Sequence, residues 1–274
     1  MAPGVAVPTA LTARLTFNGV VGTVYSYGTS MILAGQALRF ALQADGTSLA
    51  TGMYDWSMEV TSTVGGVTIS QSFNGKQAIV NRSSSEFGAG WGLDGLDRLF
   101  DNTNGALMVR GNGDSLWFSK SGANYQHAAG DVSDAKLVKN GNGTFTLTSK
   151  TGIVSAFSAL GLLVSQSDSN NNTFTYSYAD RNGDSIAAEL TSITDPFGRA
   201  TNFNYANGKV NSIAHFSGRT TTFSYAGNNL DHYTLTDPDG AGTLLAPVIV
   251  FGYGSSNITS RINEIGRASC RERV

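Results

Sequence analysis

The constraint that most limits what this chain can fold into is a pattern stated once and restated 20 residues later. Asp195-Pro196-Phe197-Gly198-Arg199-Ala200-Thr201-Asn202-Phe203-Asn204-Tyr205 is answered by His215-Phe216-Ser217-Gly218-Arg219-Thr220-Thr221-Thr222-Phe223-Ser224-Tyr225. Self-similarity at a fixed period is the signature of a repeat architecture. Each copy opens with a turn: Pro196 presets φ, and Gly198 or Gly218 closes the bend. A strand follows, because Thr201, Phe203 and Tyr205, like Thr221, Phe223 and Tyr225, alternate at the period of two that puts them on one face. Asn207-Gly208 is a tight-hairpin signal, and Lys209 to Ile213 is expected to return as the partner strand. Such a hairpin cannot bury its aromatic face alone.

Two weaker copies flank the clear pair. One starts at Asp168 and continues through Asn171-Asn172-Thr173 into Phe174, Tyr176 and Tyr178; the other starts at Asp237-Pro238-Asp239-Gly240 and ends at Phe251-Gly252-Tyr253. Starts at Asp168, Asp195, His215 and Asp237 step by 27, 20 and 22 residues. An insertion around Gly242 to Pro247 delays the last strand.

The unit Asp-Pro-x-Gly-Arg-x-Thr-x-Phe-x-Tyr, followed by Gly-x-Val, resembles the YD repeat of the Rhs family, over roughly residues 86 to 260. That family includes bacterial polymorphic toxins, wall-associated proteins, insecticidal toxin-complex components and the animal teneurins. The resemblance implies hairpins that spiral into a hollow shell enclosing a toxic or signalling C-terminal domain. The residues it maps to structural roles are Asp195, Pro196, Gly198, Arg199, Thr201, Phe203, Tyr205, Gly208, Gly218, Arg219, Thr221, Phe223, Tyr225, Asp237, Pro238 and Gly240. It implies no catalytic, cofactor-binding or metal-binding residue here, since the effector lies outside these residues. The partners expected are the protein's own C-terminal domain and, under a rival reading as an adhesive or carbohydrate-binding module, cell-surface glycan on Trp91 or Trp117. A glycosidase, the third reading, needs two carboxylates about 5 to 10 Å apart in a cleft.

Upstream, Leu11 to Val80 shows short alternating runs: Leu15 with Phe17, Tyr25 with Tyr27, Leu38 with Phe40 and Leu42, Trp56 with Met58 and Val60, Val67 with Ile69. Turn signals stand at Asn18-Gly19, Asp45-Gly46, Gly65-Gly66 and Asn74-Gly75. About seven strands with such spacing predict an immunoglobulin-like β-sandwich. The fold expected is therefore all-β: a β-sandwich over 1–82, a shell-opening β meander over 83–160, and YD repeats over 161–263. Within the meander, Leu107 to Val109 and Leu116 to Phe118 predict a hairpin about Gly111-Asn112-Gly113-Asp114. Thr144 to Thr148 and Ile153 to Phe157 extend it, and only Ser185 to Leu190 suggests a helical turn.

Residues 264–274 read as foreign, a peptide similar to translated sequencing adapter. Setting them aside removes three arginines and two glutamates, so 18 basic and 20 acidic residues become 15 and 18, a net charge of −3. No basic footprint for nucleic acid remains. The single cysteine, Cys270, falls in the same stretch, so disulfides, thiolate catalysis and cysteine zinc sites are not expected. Only 14% of residues are charged, with polarity carried by Ser, Thr and Asn, which suits a secreted or cell-surface protein. Cysteine-free surface proteins of this size point to a bacterial source. No apolar run approaches 18 residues, so no membrane span is expected. Met1 to Thr16 has neither the basic start nor the apolar block of a signal peptide.

Other motifs are weaker. Gly90-x-Gly92-x-x-Gly95 matches a dinucleotide fingerprint but lacks the preceding apolar strand and following helix. Asp180 to Asp184 with Glu189 has oxygen ligands at calcium-loop positions 1, 3 and 5, but Gly at 4 and Glu at 10 are misplaced. His127, His215 and His232 show no ligand spacing. Four Asn-x-Ser/Thr matches, at Asn81, Asn142, Asn171 and Asn257, are what an Asn- and Thr-rich chain produces by chance.

Overall fold

The computed structural model describes residues 7–33, 37–39, 41–121, 124–127, 134–240, 245–254 and 257–264. The chain is all-β, with no helix among the described residues, and divides into two compact units, Met1–Val80 and Asn81–Val274. No helix among the described residues is long and apolar enough to cross a membrane.

The first unit is one antiparallel sheet of β1 (Ala10–Phe17), β2 (Val20–Tyr27), β3 (Gly52–Val64) and β4 (Val67–Ile79), in the order β2-β1-β3-β4. Asn18-Gly19 and Gly65-Gly66 close its hairpins with positive φ at both residues, as two-residue turns of the right twist require. Alternation segregates the faces. Leu11 and Ala13 are buried on one, while the other carries the Arg14–Glu59 ion pair at 2.7 Å and the Thr61–Ser70 and Thr63–Thr68 hydroxyl pairs.

This differs from the expected sandwich of seven strands. Among the described residues of this unit there is a single sheet; Leu38 and Leu42 lie in irregular backbone, and Phe40 falls outside those residues. Asn74-Gly75 is not a turn either. It sits within β4, where Gly75 pairs with Trp56 and the indole lies 2.6 Å from where a Cβ would stand. Glycine at that point admits the ring, so β4 runs on for 13 residues through the place where a turn was expected.

The second unit opens with a four-stranded sheet of β5 (Arg98–Asn102), β6 (Gly105–Val109), β7 (Ser115–Ser121) and β8 (Asn124–His127). Twelve strands then follow in strict chain order: β9 (Lys136–Lys139), β10 (Phe145–Thr148), β11 (Val154–Phe157), β12 (Leu163–Ser167), β13 (Thr173–Ala179), β14 (Glu189–Thr194), β15 (Ala200–Ala206), β16 (Lys209–Ala214), β17 (Thr220–Ala226), β18 (Asn229–Thr234), β19 (Val248–Gly254) and β20 (Asn257–Glu264). The stretch read as a helical turn instead holds Ser185 at φ 67° and then enters β14. The foreign-looking residues 265–274 lie outside the described residues, while Glu264 pairs with Val248 at the end of β20.

One turn design recurs through both sheets of this unit. In seven five-residue turns the first residue's N–H bonds the fifth carbonyl and its carbonyl accepts the fourth N–H: 110–114, 140–144, 149–153, 158–162, 168–172, 195–199 and 215–219. The fourth residue is always left-handed, from Gly113 at φ 99° to Asn171 at 64°, Gly198 at 79° and Gly218 at 85°. The repeat therefore begins, as turn chemistry, well before its aromatic motif does.

One face of the twelve-stranded sheet is covered in sequence by three layers. Leu99, Met108, Phe118 and Tyr125 from the small sheet pack on Leu137, Phe145, Leu147, Phe157 and Leu163. Phe87, Leu93 and Leu96 then cover Leu190, Phe203 and Val210, and Trp91 covers Leu230, Ile249 and Phe251. Leu190 and Val210 are fully buried, and each such side chain contributes about 1.5–3 kcal/mol by leaving water.

Candidate functional site

The feature repeated with least variation is a ladder of tyrosine hydroxyls. Tyr178 Oη donates to the Leu163 carbonyl at 2.7 Å, Tyr205 to Leu190 at 2.9 Å, Tyr225 to Val210 at 2.7 Å and Tyr253 to Leu230 at 2.8 Å. Each bond runs from the first strand of one repeat back to the return strand of the hairpin before, so the ladder joins hairpin to hairpin.

A bulge makes the geometry possible. Within its own hairpin Tyr178 faces Leu190, Tyr205 faces Val210, Tyr225 faces Leu230 and Tyr253 faces Ile258, and at every one of these pairs the register slips by one residue. The extra residue is Thr191, Asn211, Asp231 or Thr259. The same slip occurs at Phe157 and Leu163, one repeat earlier, where a phenyl ring stands in place of the phenol. Bulging returns the aliphatic residue to the aromatic face and frees a carbonyl from the strand ladder, which the next tyrosine then satisfies.

A segment before β5 lies across this ladder as a strap. Lys209 Nζ donates to the Ser85 carbonyl at 2.7 Å, Val210 N–H to the Glu86 carbonyl at 2.9 Å, and Ala89 N–H to the Asn228 carbonyl at 2.7 Å. Gly88 sits with room for no Cβ closer than 3.0 Å to Leu230, and Trp91 Nε1 donates to Tyr253 Oη at 3.1 Å with its ring 4.8 Å from Phe251. Strap residues 86, 88 and 91 thus meet β16, β18 and β19 in order. Gly90, Gly92 and Gly95 of the dinucleotide-like motif belong to this irregular segment. With no helix after it and Gly92 against the Arg82 guanidinium, no phosphate cradle forms.

Electrostatics follow from the cover. Burial, with the nearby Glu86 carboxylate, raises the Tyr225 hydroxyl to about 12; burial likewise lifts Tyr178 and Tyr205 well above the ordinary phenol range. Glu86 is itself raised by burial, and Glu189 pushes it the same way, while its own N–H, Arg98 and Lys209 oppose the shift. Glu189 is buried, with its carboxylate accepting the Arg181 N–H at 3.1 Å.

The residues singled out in the repeat motif separate to the two ends and the middle of each hairpin. Asp195 accepts the Phe197 and Arg199 N–H groups and the Arg199 guanidinium at 2.6 Å, and Arg199 stacks 4.3 Å over Phe216 of the next turn. Pro196 and Gly198 shape that turn, and Gly218 and Arg219 the next, where His215 Nδ1 accepts the Ser217 N–H in the aspartate's stead. Thr201, Phe203 and Tyr205 share the inner face of β15, and Thr221, Phe223 and Tyr225 that of β17; Gly208 closes the opposite end with φ 71°. Asp237 accepts the Asp239 N–H, Pro238 follows it, and Gly240 is left-handed at φ 66°.

The calcium-like loop satisfies itself: Asp180 takes the Gly183 and Ser185 N–H groups and Asn182 takes that of Asp184. No group of three or more His, Cys, Asp or Glu able to hold a metal occurs among the described residues.

Sequence reading missed the carbonyl acceptors Leu163, Leu190, Val210 and Leu230, and the strap contacts of Glu86 and Lys209. The signal was present as apolar pairs three apart, Leu190 with Ile193 and Val210 with Ile213, a spacing that a regular strand would throw onto opposite faces. No protein-family model matches this chain, and no curated protein matches it.

Proposed function

We propose that this chain is a structural segment of a secreted or cell-surface bacterial protein of the Rhs/YD-repeat type, contributing β hairpins to a shell that encloses or displays a C-terminal effector domain. The observation that carries the reading is the fourfold hydroxyl-to-carbonyl join. Because four successive hairpins attach to their predecessors by the same bond at the same bulge, hairpins can be added without redesigning the interface, as a wall requires. The immunoglobulin-like reading of residues 1–82 is kept as part of this proposal, with the observed sheet supplying one of its layers.

The residues here act as walls, and no catalytic role is assigned to them. A glycan platform at Trp91 finds no support in its surroundings, since both ring and N–H are engaged with Phe251 and Tyr253. Trp117 lies across Gly105, within 2.6 Å of the position a Cβ would take, as a cross-sheet packing residue does.

The test is to sequence the locus by long reads through the codons for Asn263 and Glu264, express the whole frame and image the product. Further Asp-Pro-x-Gly-Arg units closing around a terminal domain are the expected result. A solid stalk, or a frame without further repeats, would sink the proposal.

A further inference from the structure

Between Arg82 and Gly92 the strap carries a single acidic side chain, Glu86, and sets it half-buried against the sheet. The backbone on both sides of it is fixed. Lys209 Nζ donates to the Ser85 carbonyl at 2.7 Å, Val210 N–H to the Glu86 carbonyl at 2.9 Å with Tyr225 Oη also reaching it at 3.5 Å, and Ala89 N–H to the Asn228 carbonyl at 2.7 Å. The Glu86 carboxylate enters no ion pair among the described residues. Two cations that act on it are engaged elsewhere, Lys209 with the Ser85 carbonyl and Arg98 over the Phe100 ring at 5.3 Å. Facing it from the elements packed on the strap are Glu189 of β14, Lys209 of β16, Arg98 of β5 and the phenols of Tyr178, Tyr205 and Tyr225 on β13, β15 and β17, with Arg82 in the strap itself. Glu189 is buried, so a second carboxylate stands under the strap beside the first.

We propose that residues 82–92 are a proton-operated latch: with the Glu86 carboxyl protonated the segment lies closed over the tyrosine ladder, and with it ionised the segment lifts locally while the sheet beneath stays folded. Ionised, the carboxylate has lost water, has gained no partner and stands beside Glu189, and lifting the strap returns it to solvent. Protonation removes both costs. The strap can move alone because its bonds to the sheet are few, whereas each strand from β13 to β18 beneath it is paired on both sides. Burial raises the Glu86 carboxyl, so its contribution to closure is complete below the ordinary value of 4.5 and is lost as pH rises through the folded value. The latch depends only on the strap's own contacts and is independent of any enclosed cargo.

The test is hydrogen–deuterium exchange of the full chain from about pH 4 to pH 9, corrected for the intrinsic pH dependence of amide exchange. Protection of the Ala89 amide should fall with rising pH by up to about tenfold per pH unit between 4.5 and the folded value of Glu86, then level off, while peptides from β10 to β12 keep theirs. In Glu86→Gln the fall should vanish, with protection held at the acid level throughout; a side chain that merely packs would instead lower protection equally at every pH. Glu189→Gln, whose amide oxygen can still accept the Arg181 N–H, removes the neighbouring charge and should shrink the fall, a second reading that does not require the Glu86 variant to fold. Wild-type protection that is flat with pH, a fall that persists in Glu86→Gln or is undiminished in Glu189→Gln, or an equal fall in β10 to β12 would each overturn the proposal.

Discussion

Tyr205→Phe isolates one rung of the ladder. The ring keeps its place on the inner face of β15, so packing is conserved and only the hydroxyl is lost. Its acceptor, the Leu190 carbonyl, lies where β14 and β15 are not yet in register, since their pairing starts at Ser192 and Asn202. No neighbouring strand can replace the bond, and the Leu190 side chain is fully buried, so water is excluded from that side. A net hydrogen bond is worth about 1 kcal/mol, and stranding a buried carbonyl brings the expected loss to about 1–2 kcal/mol. For a unit of this size that lowers Tm by roughly 2–8 °C. Tyr253→Phe should lose about twice as much, because Tyr253 also accepts the Trp91 indole N–H. Urea unfolding of the full chain gives the stability. Trp56 lies in one unit and Trp91 and Trp117 in the other, so amide exchange on peptides from β14 to β17 should be the primary readout. If Tyr205→Phe changes stability by less than about 0.3 kcal/mol, or Tyr253→Phe is no worse than Tyr205→Phe, the ladder is ornament and the reasoning fails.

Gly198 and Gly161 occupy the same left-handed turn position, but only Gly161 has backbone against it, the Leu99 carbonyl standing 1.9 Å from a would-be Cβ. Gly198→Ala should therefore lower stability by about 1 kcal/mol and Gly161→Ala by several-fold more, measured by urea unfolding. Alkaline titration at 295 nm should show Tyr178, Tyr205 and Tyr225 ionising later than exposed tyrosines. Their raised values mean a contribution to stability that is complete below the ordinary phenol value of about 10 and is lost as pH rises through about 12 for Tyr225, so the last phenols should appear together with unfolding. Glu86 is likewise raised, so its contribution is complete below 4.5 and lost as pH rises through its folded value. Glu86→Gln should stabilise the chain at pH 7–8, and the difference from wild type in Tm should vanish by about pH 4.

The sequence made the strands of the repeat region legible because aromatic residues two apart can share a face only in extended backbone, and because Asp-Pro-x-Gly and Asn-Gly punctuate them. It did not reveal the bulges. Val210 and Ile213 read as an ordinary return strand with one residue out of place, and only the observed register shows that the misplacement is the design. The five-residue turns at 140–144, 149–153 and 158–162 were equally hidden, since Asn140, Ser149 and Ser158 open them where the motif has Asp. In each case the opening residue and a left-handed glycine perform the same local hydrogen bonding. The expected strand count in residues 11–80 rested on alternating runs and on four turn signals, of which Asn74-Gly75 is not a turn. At Asn74-Gly75 the glycine instead answers a cross-strand need, clearance for Trp56, which has no local signature.

The unequal steps of 27, 20 and 22 residues between repeat starts are explained by where length varies. The strands β13, β15, β17 and β19 all have seven residues, and their tyrosines all meet the bulge at the same point. Between β13 and β14 the connection spans residues 180–188, where its neighbours use Asn207-Gly208 or Gly227-Asn228; between β18 and β19 it spans 235–247, where its neighbours use five residues. Extra residues therefore enter in the connections at either end of a hairpin but never within the strand that carries the tyrosine. A slip of one residue there would carry the hydroxyl to the opposite face and strand the carbonyl behind it. Register is held by the bulge and the phenol together, which leaves the turns free to differ, and this accounts for His215 standing where other copies carry Asp without disturbing the strand that follows.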